Sequence, residues 1–171
     1  TAEGIQRGRA AGTIRNLEAV ISENPINGTT GIGHTRWATH GAPTVANAHP
    51  HHYGKVTLVH NGIIENYAEL KAALKAKGEV FESDTDTEVI AHLLDGALKS
   101  GLKLKEAFKA VLDQLHGAYA LAILVEGETD ILLGARRGSP LVIGWGEDEM
   151  YLGSDAMAVG PFTKRVTYLE E

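Results

Sequence analysis

Histidine is the residue type in this sequence that most directly suggests chemistry, because six of the eight histidines are clustered. Neutral imidazoles bind zinc, so this density raises the hypothesis of a metal site. No carboxylate lies between Arg36 and Lys55 to complete a set of ligands, and the HExxH signature is absent. The alternative is hydrogen bonding to loop backbone, and we expect no metal and no cofactor. The clustered residues are His34, His40, His49, His51, His52 and His60.

Arg36 and Trp37 lie in residues 34–41, which read His-Thr-Arg-Trp-Ala-Thr-His-Gly. A guanidinium offers a planar fork to a carboxylate, and the neighbouring indole could cover a ligand and exclude water. The structural alternative pairs Arg36 with a carboxylate of the protein and places Trp37 in the core. The residue types alone leave both interpretations open.

Asn61 and Gly62 directly follow a predicted strand, where such a pair commonly forms a tight hairpin turn. A second interpretation is an oxyanion hole, in which the Asn61 amide and the Gly62 N–H both donate to one developing negative oxygen. The residues after Gly62, Ile-Ile-Glu-Asn, are few and lead into a predicted helix. The hairpin interpretation is weakened by this, but it stays open.

A run of hydroxyl and carboxylate residues, Ser-Asp-Thr-Asp-Thr-Glu, occupies positions 83–88. Thr85 and Glu88 have the spacing of a capping box for the helix that follows. One helix start does not need both Asp84 and Asp86, so the surplus carboxylate could accept the ammonium group of a substrate. The spacing does not fit the EF-hand template for calcium.

Helical spacing of apolar residues predicts four helices, of which the third has the clearest stripe. Residues 31–50 have little periodicity and predict a short strand followed by a long loop, which is uncommon unless functional. The predicted helices cover residues 13–23, 67–77, 86–99 and 104–115.

Short β-type runs with turn residues between them dominate the second half of the chain, which favours antiparallel pairing. Because strands and helices are partly segregated, we predict an α+β fold with layers of antiparallel sheet and helix. The predicted strands cover residues 55–60, 118–125, 131–135, 141–144, 150–154 and 166–169.

Composition sets limits on the class of protein. The 171 residues suit one domain spanning 1–171, and 43% apolar with 22% charged residues is typical of a globular chain. The longest apolar run, residues 118–125, is far too short to cross a membrane. A net charge of −6 with scattered basic residues argues against nucleic acid as a partner. The absence of cysteine excludes disulfides, thiolate metal sites and a cysteine nucleophile within these residues.

Five motifs, in order and at matching spacing, resemble the glutamine amidotransferase domain of the glutamine–fructose-6-phosphate aminotransferase family. The related amidophosphoribosyltransferases and asparagine synthetases share the Asn-Gly element but differ around Arg36. The motifs are residues 34–41, 47–51, 59–66, 83–88 and 138–141.

This resemblance implies an N-terminal-nucleophile hydrolase fold, a four-layer αββα sandwich with antiparallel sheets. It also implies that a thiolate attacks the side-chain amide of glutamine, ammonia leaves, and water hydrolyses the thioester. The family's nucleophile is an N-terminal cysteine whose own α-amino group is the base. Here Thr1 aligns with a segment beyond the family's opening strand and helix, and not with the catalytic N-terminus. We therefore expect a domain that lacks its opening strand and helix and its last strands. Thr1 as nucleophile is the alternative; otherwise the chain alone should be inactive.

The resemblance further implies roles for individual residues. Arg36 would bind the α-carboxylate of glutamine and Asp86 its α-ammonium, while Asn61 and Gly62 would form the oxyanion hole. His49 would order its loop. The loop that closes over the bound amino acid would include Trp37, Thr39 and His40.

The implied partners are L-glutamine and the sugar-isomerase domains of a parent chain that makes glucosamine 6-phosphate from fructose 6-phosphate. A cytoplasmic homo-oligomer that contacts neither nucleic acid nor membrane is expected. Two other hypotheses remain, namely a catalytically dead relative that binds glutamine, and a histidine-based metallohydrolase.

Overall fold

The computed structural model describes residues 4–171. Thr1, considered above as a nucleophile, lies outside the described residues. No helix in the described part of the chain is long and apolar enough to span a membrane. The helices are α1 (Ile14–Glu23), α2 (Tyr67–Ala76), α3 (Glu88–Lys99), α4 (Leu104–Leu112) and α5 (Ala156–Val159). The strands are β1 (His51–Tyr53), β2 (Val56–Gly62), β3 (Tyr119–Val125), β4 (Leu133–Arg137), β5 (Val142–Trp145), β6 (Met150–Gly153) and β7 (Val166–Tyr168).

The strands form two antiparallel sheets. The first has the order β1-β2-β3-β4, and the second has the order β6-β5-β7. Helix α3 packs against β1 and β2 and is flanked by α2 and α4, whereas α5 packs against β5 and β6. Where the sheets approach each other, a side chain on Gly134 of β4 would collide with Leu152 of β6. The order of layers is therefore helix, sheet, sheet, helix, as predicted.

Strand alternation decides which side chains enter the core. Val56 and Leu58 of β2 lie opposite Val125 and Ile123 of β3, and all four side chains are buried against the helix layer. Because successive side chains point to opposite faces of a sheet, His60 of β2 also lies on the helix side. Its neighbours Val59 and Asn61 face the space between the sheets. Burying each large aliphatic side chain contributes about 1.5–3 kcal/mol to folding.

Three predictions about local structure were wrong. Helix α3 begins at Glu88, two residues later than predicted, and its first flanking residue, Thr87, makes no capping bond through its side chain. The predicted capping box of Thr85 and Glu88 is absent, because Glu88 accepts instead from the N–H groups of Glu82 and Ser83. No strand forms in residues 24–50, where the loop is held by side chains rather than by a ladder. Strand β1 and helix α5 were not predicted.

Candidate active site

Asn61 and Gly62, the strand-end pair, are the last two residues of β2 and do not form a hairpin turn. They pair with Ala120 and Tyr119 of β3, and the chain then continues into α2. The hairpin interpretation is therefore excluded by the topology. The strand ladder fixes the backbone of both residues at the edge of the space between the sheets.

Gly62 occupies a position that no other residue type fits. Its φ of +116° lies in the region that residues with a side chain rarely adopt. A Cβ atom would also lie 2.1 Å from the Ala118 carbonyl oxygen. Both backbone conformation and close packing therefore require glycine here.

The hydrogen-bond pattern of the ladder determines where the Gly62 N–H points. The Ile63 N–H donates to the Ala118 carbonyl at 2.8 Å, so residue 63 belongs to the set that bonds to β3. In an antiparallel pair the bonds to one neighbour come from alternate residues. The Gly62 N–H therefore points to the other edge of β2. There β1 pairs only with residues 56–58 and has ended before Gly62.

The Asn61 amide is oriented by His34. Its Oδ1 lies 2.7 Å from His34 Nε2, which must carry the proton because the amide oxygen can only accept. Burial lowers the pKa of His34, outweighing the bond to Asn61, and Arg36 lowers it further. A neutral His34 thus leaves the Asn61 NH₂ group directed away as a donor. Both side chains line a cavity of about 1400 Å³ between the sheets.

Asp86 is buried, and its two carboxylate oxygens differ. Oδ2 accepts the Ile64 N–H at 2.8 Å and lies 4.0 Å from His60 Nδ1. Oδ1 faces His40, whose Nδ1 is 3.9 Å away. Burial lowers the pKa of His60 to about 4 against the opposing effect of Asp86. One oxygen of Asp86 therefore anchors the chain beyond Gly62, and the other is oriented toward the partly exposed His40.

The Arg36 loop, residues 36–42, is closed by its own guanidinium. Arg36 Nη1 donates to the Ala42 carbonyl at 3.1 Å, and Nη2 donates to the carbonyls of His40 and Gly41. In the described residues no carboxylate lies within ion-pair distance of Arg36. Trp37 is 90% exposed, so the interpretation that places it in the core is wrong. Thr39 is also exposed, and the His40 ring meets Tyr67 edge-on at 4.9 Å.

Four of the six clustered histidines, namely His49, His51, His52 and His60, bond to threonine hydroxyls, whereas His34 bonds to Asn61 and to the backbone of His60. His49 and His60 both lie within 3.3 Å of the Thr87 hydroxyl, and His51 Nε2 lies 3.2 Å from the Thr85 hydroxyl. Burial is the main cause that lowers the pKa of His49 to about 2 and that of His51 to about 4. These imidazoles are uncharged packing elements that connect the first sheet to residues 83–87, here called the Asp86 turn.

Comparison with known proteins identifies the family. The model of the glutamine amidotransferase domain family matches residues 34–160. This chain belongs to that family. It is 70% identical over 167 residues to the glutamine–fructose-6-phosphate aminotransferase [isomerizing] of Caulobacter vibrioides, covering 98% of this chain and 28% of the relative. The corresponding protein of Gluconobacter oxydans is 56% identical over 172 residues, covering all of this chain and 28% of the relative.

The fold of this glutamine amidotransferase domain has counterparts among solved structures. The glutamine phosphoribosylpyrophosphate amidotransferase of B. subtilis, complexed with ADP and GMP, superimposes with a TM-score of 0.71 at 30% identity. The match covers 90% of this chain and 34% of that chain. The resemblance stated from five motifs and the predicted sandwich fold are thereby confirmed. The chain spans about 28% of the length of its curated relatives.

Sequence reasoning missed several residues that support the candidate site. The hydroxyls of Thr85 and Thr87 form hydrogen bonds with the histidines. The alternation of threonine with aspartate in residues 83–87 was the available signal in the sequence. Asn47 was quoted only as part of a motif, although it is buried and bonded to Asp84. Within residues 4–171, no group of three or more histidine, aspartate or glutamate side chains is arranged to hold a metal.

Proposed function

We propose that this domain binds L-glutamine and releases ammonia from its side-chain amide, as the glutaminase part of a glutamine–fructose-6-phosphate aminotransferase. The observation that carries the proposal is the strand-end pair. His34 orients the Asn61 amide beside the cavity, and the N–H of the next residue, Gly62, points past the end of β1, so two donors are available on consecutive residues. Preorganised donors of this kind stabilise a developing oxyanion.

The reaction places negative charge where these donors lie. When a nucleophile attacks the amide carbon of glutamine, the carbonyl oxygen becomes an oxyanion. Asn61 Nδ2 and the Gly62 N–H would donate to that oxygen, and one such donor contributes about 3–4 kcal/mol in the transition state. The C–N bond then breaks, and the nitrogen takes up the proton lost by the nucleophile and leaves as ammonia. Water hydrolyses the acyl intermediate, which releases glutamate and restores the nucleophile. Because the donors are held by the strand ladder and by His34, little reorganisation accompanies the change in charge.

Recognition of the amino acid would use charges of opposite sign. Asp86 Oδ1 is the oxygen we assign to the α-ammonium, since Oδ2 already bonds to Ile64. Arg36 would bind the α-carboxylate, but both N–H groups of Nη2 now serve its own loop. A two-pronged contact with substrate therefore requires the Arg36 loop to exchange one of these bonds. Trp37, Thr39 and His40 on that loop would cover the ligand.

A cysteine nucleophile would have to be supplied from outside these residues, because none of the 171 residues is a cysteine. We propose that these residues function within a longer, cytoplasmic, homo-oligomeric protein. Its sugar-isomerase domains would use the ammonia to convert fructose 6-phosphate into glucosamine 6-phosphate. The same absence of cysteine supports a second candidate, a relative that binds glutamine without hydrolysing it.

Ammonia release from L-glutamine separates these possibilities. The full-length protein should release ammonia at a rate in the usual enzymatic range of roughly 1–1000 per second, and the 171-residue chain should give none above background. Saturable binding of L-glutamine by a full-length protein without turnover would support the non-catalytic relative. Turnover by the chain alone would show that the nucleophile lies within it and would make Thr1 the candidate.

A further inference from the structure

Asn47 is buried, with 1% exposure, and its side chain joins two segments that are distant in sequence. Its Oδ1 accepts the Asp84 N–H at 2.9 Å. Its Nδ2 donates to the Ala42 carbonyl at 3.1 Å and to the Asp84 carboxylate at 3.3 Å. The amide thus uses its acceptor and both donors to connect the Arg36 loop with the Asp86 turn.

The two segments meet at the carbonyl of Ala42. This oxygen accepts from Asn47 and also from Arg36 Nη1, at 3.1 Å in both cases. Next to it, Gly41 has a φ of +78°, and a Cβ atom there would lie 2.6 Å from Asn47 Nδ2 and 3.0 Å from Asp84 Cβ. The Arg36 loop and the Asp86 turn are packed so closely that no side chain fits between them at Gly41. A displacement of Asn47 therefore changes the position of both.

Asn47 itself is held from the opposite side by Arg9. One nitrogen of the Arg9 guanidinium donates to the carbonyls of Ala46 and Ala48, at 3.1 and 3.2 Å. The backbone on each side of Asn47 is therefore anchored to a segment outside the site. Asn47 can act as a fixed support, not as a residue that follows the Arg36 loop.

We infer that Asn47 is a positioning residue that sets the spacing between Arg36 and Asp86. This spacing has to match the distance between the α-carboxylate and the α-ammonium of one amino acid. The inference rests on the function proposed above. An asparagine suits this position because two donors and one acceptor are needed at once. An aspartate would lose both donors and repel the Asp84 carboxylate, and an aliphatic residue would leave buried polar groups unpaired.

The test is the Asn47→Asp substitution in the full-length protein, measured by steady-state glutamine hydrolysis. The KM for L-glutamine should rise roughly tenfold or more, since the charged ends of the substrate no longer match their partners. The kcat should change less than about threefold, because Asn47 does not contact the strand-end pair. An unchanged KM in a folded variant would overturn the inference.

The variant Val111→Ala is the control for a purely structural role of Asn47. Val111 is fully buried in α4, away from the Arg36 loop, and its truncation should lower the melting temperature. That variant should keep the wild-type KM for glutamine. If Asn47→Asp gave the same result, namely a lower melting temperature with the KM unchanged, Asn47 would be a stabilising residue only.

Two substitutions at the exposed Asp84 keep the inference testable if Asn47→Asp does not fold. Asp84→Ala removes the carboxylate that accepts from Asn47, and the glutamine KM should rise about two- to threefold. Asp84→Asn keeps an oxygen at that place and should restore the wild-type KM. Equal KM values in the wild type and both variants would contradict the inference. Failure of the proposed function would differ, because the wild-type protein itself would not hydrolyse glutamine.

Discussion

The strand-end pair and the Arg36 loop lie close together but are held by different kinds of interaction. Asn61 and Gly62 are part of a β ladder, and the Ala118 carbonyl leaves no room for a side chain at Gly62. The Arg36 loop has no ladder and is closed by a guanidinium that bonds to its own carbonyls. The groups assigned to the transition state are therefore held rigidly, whereas Arg36, which is assigned to recognition, can rearrange. Substitutions should accordingly separate into effects on kcat and effects on KM.

The largest expected effect is that of Asn61→Ala on turnover. In the full-length protein the kcat should fall about 10²–10³-fold, because one preorganised oxyanion donor is lost. The melting temperature and the KM for glutamine should change much less. The control is Asn66→Ala, since Asn66 bonds through its side chain to the backbone of Gln114 and His116. That control should lower stability and leave the kcat nearly intact; the reverse pattern would remove Asn61 from the site.

Arg36→Lys should affect the Arg36 loop, and therefore the KM for glutamine. Lysine keeps the charge but cannot bond to several carbonyls of the loop or form a two-pronged contact with a carboxylate. We expect the KM for glutamine to rise roughly tenfold, equivalent to about 1.4 kcal/mol. The matched control is Arg136→Lys, because Arg136 likewise donates to the carbonyls of Gly138, Ser139 and Leu169. If both variants kept the wild-type KM, Arg36 would have only a structural role.

Low pH should destabilise the part of the fold that holds the strand-end pair. The pKa values of His49, His51 and His60 are lowered to about 2, 4 and 4 in the folded chain, against about 6.5 when unfolded. Between pH 6.5 and 4 the unfolded chain therefore binds protons that the folded chain does not. The free energy of unfolding should fall with decreasing pH, by up to about 1.4 kcal/mol per pH unit for each histidine.

Urea unfolding of the chain at pH 7 and pH 5 measures this dependence. Glu88 contributes little between pH 7 and pH 5, because its ordinary pKa of 4.5 and its folded value of about 2 both lie below pH 5. A His49→Gln variant should show a shallower dependence on pH. A free energy of unfolding that is equal at both pH values would mean that these imidazoles are not kept neutral by burial.

The smallest expected effect is that of Trp37→Ala on stability. Since 90% of Trp37 is exposed, its removal should change the free energy of unfolding by no more than about 0.5 kcal/mol. Urea unfolding of this variant beside the wild type gives the comparison. A loss of about 2 kcal/mol or more would show that the Arg36 loop packs its indole against the protein, and the contrast between a rigid and an adaptable region would then be wrong.

Sequence patterns predicted the elements that carry their own signal. Helix α3 has an apolar stripe, and β3 is a continuous apolar run, so both were expected close to their observed positions. Strand β1 consists of His51, His52 and Tyr53, which have no apolar alternation; it forms because β2 offers it a partner. Secondary structure that depends on a tertiary neighbour leaves no local pattern to detect.

The candidate site was predictable to a similar degree. Asn61 and Gly62 could be selected from their position after a strand, and Arg36 from the chemistry of its side chain. The bonds of Asn47 to Ala42 and Asp84 could not be predicted, because nothing in the sequence distinguishes a buried asparagine from an exposed one. Asp86 could be expected to bind a cation, but its second bond, to Ile64, depends on how the turn lies against β2.

The short length of β1 also decides how much of this edge of β2 is left without a neighbouring strand. An exposed strand edge invites pairing with a strand from another molecule. Here β1 covers residues 56–58 of β2, which leaves only the backbone of His60 and Gly62 facing that edge. Gly62 then turns the chain away toward α2. The unpaired stretch of β2 is therefore long enough to present the one donor that we assign to a small ligand, and too short to pair with a further strand of ordinary length.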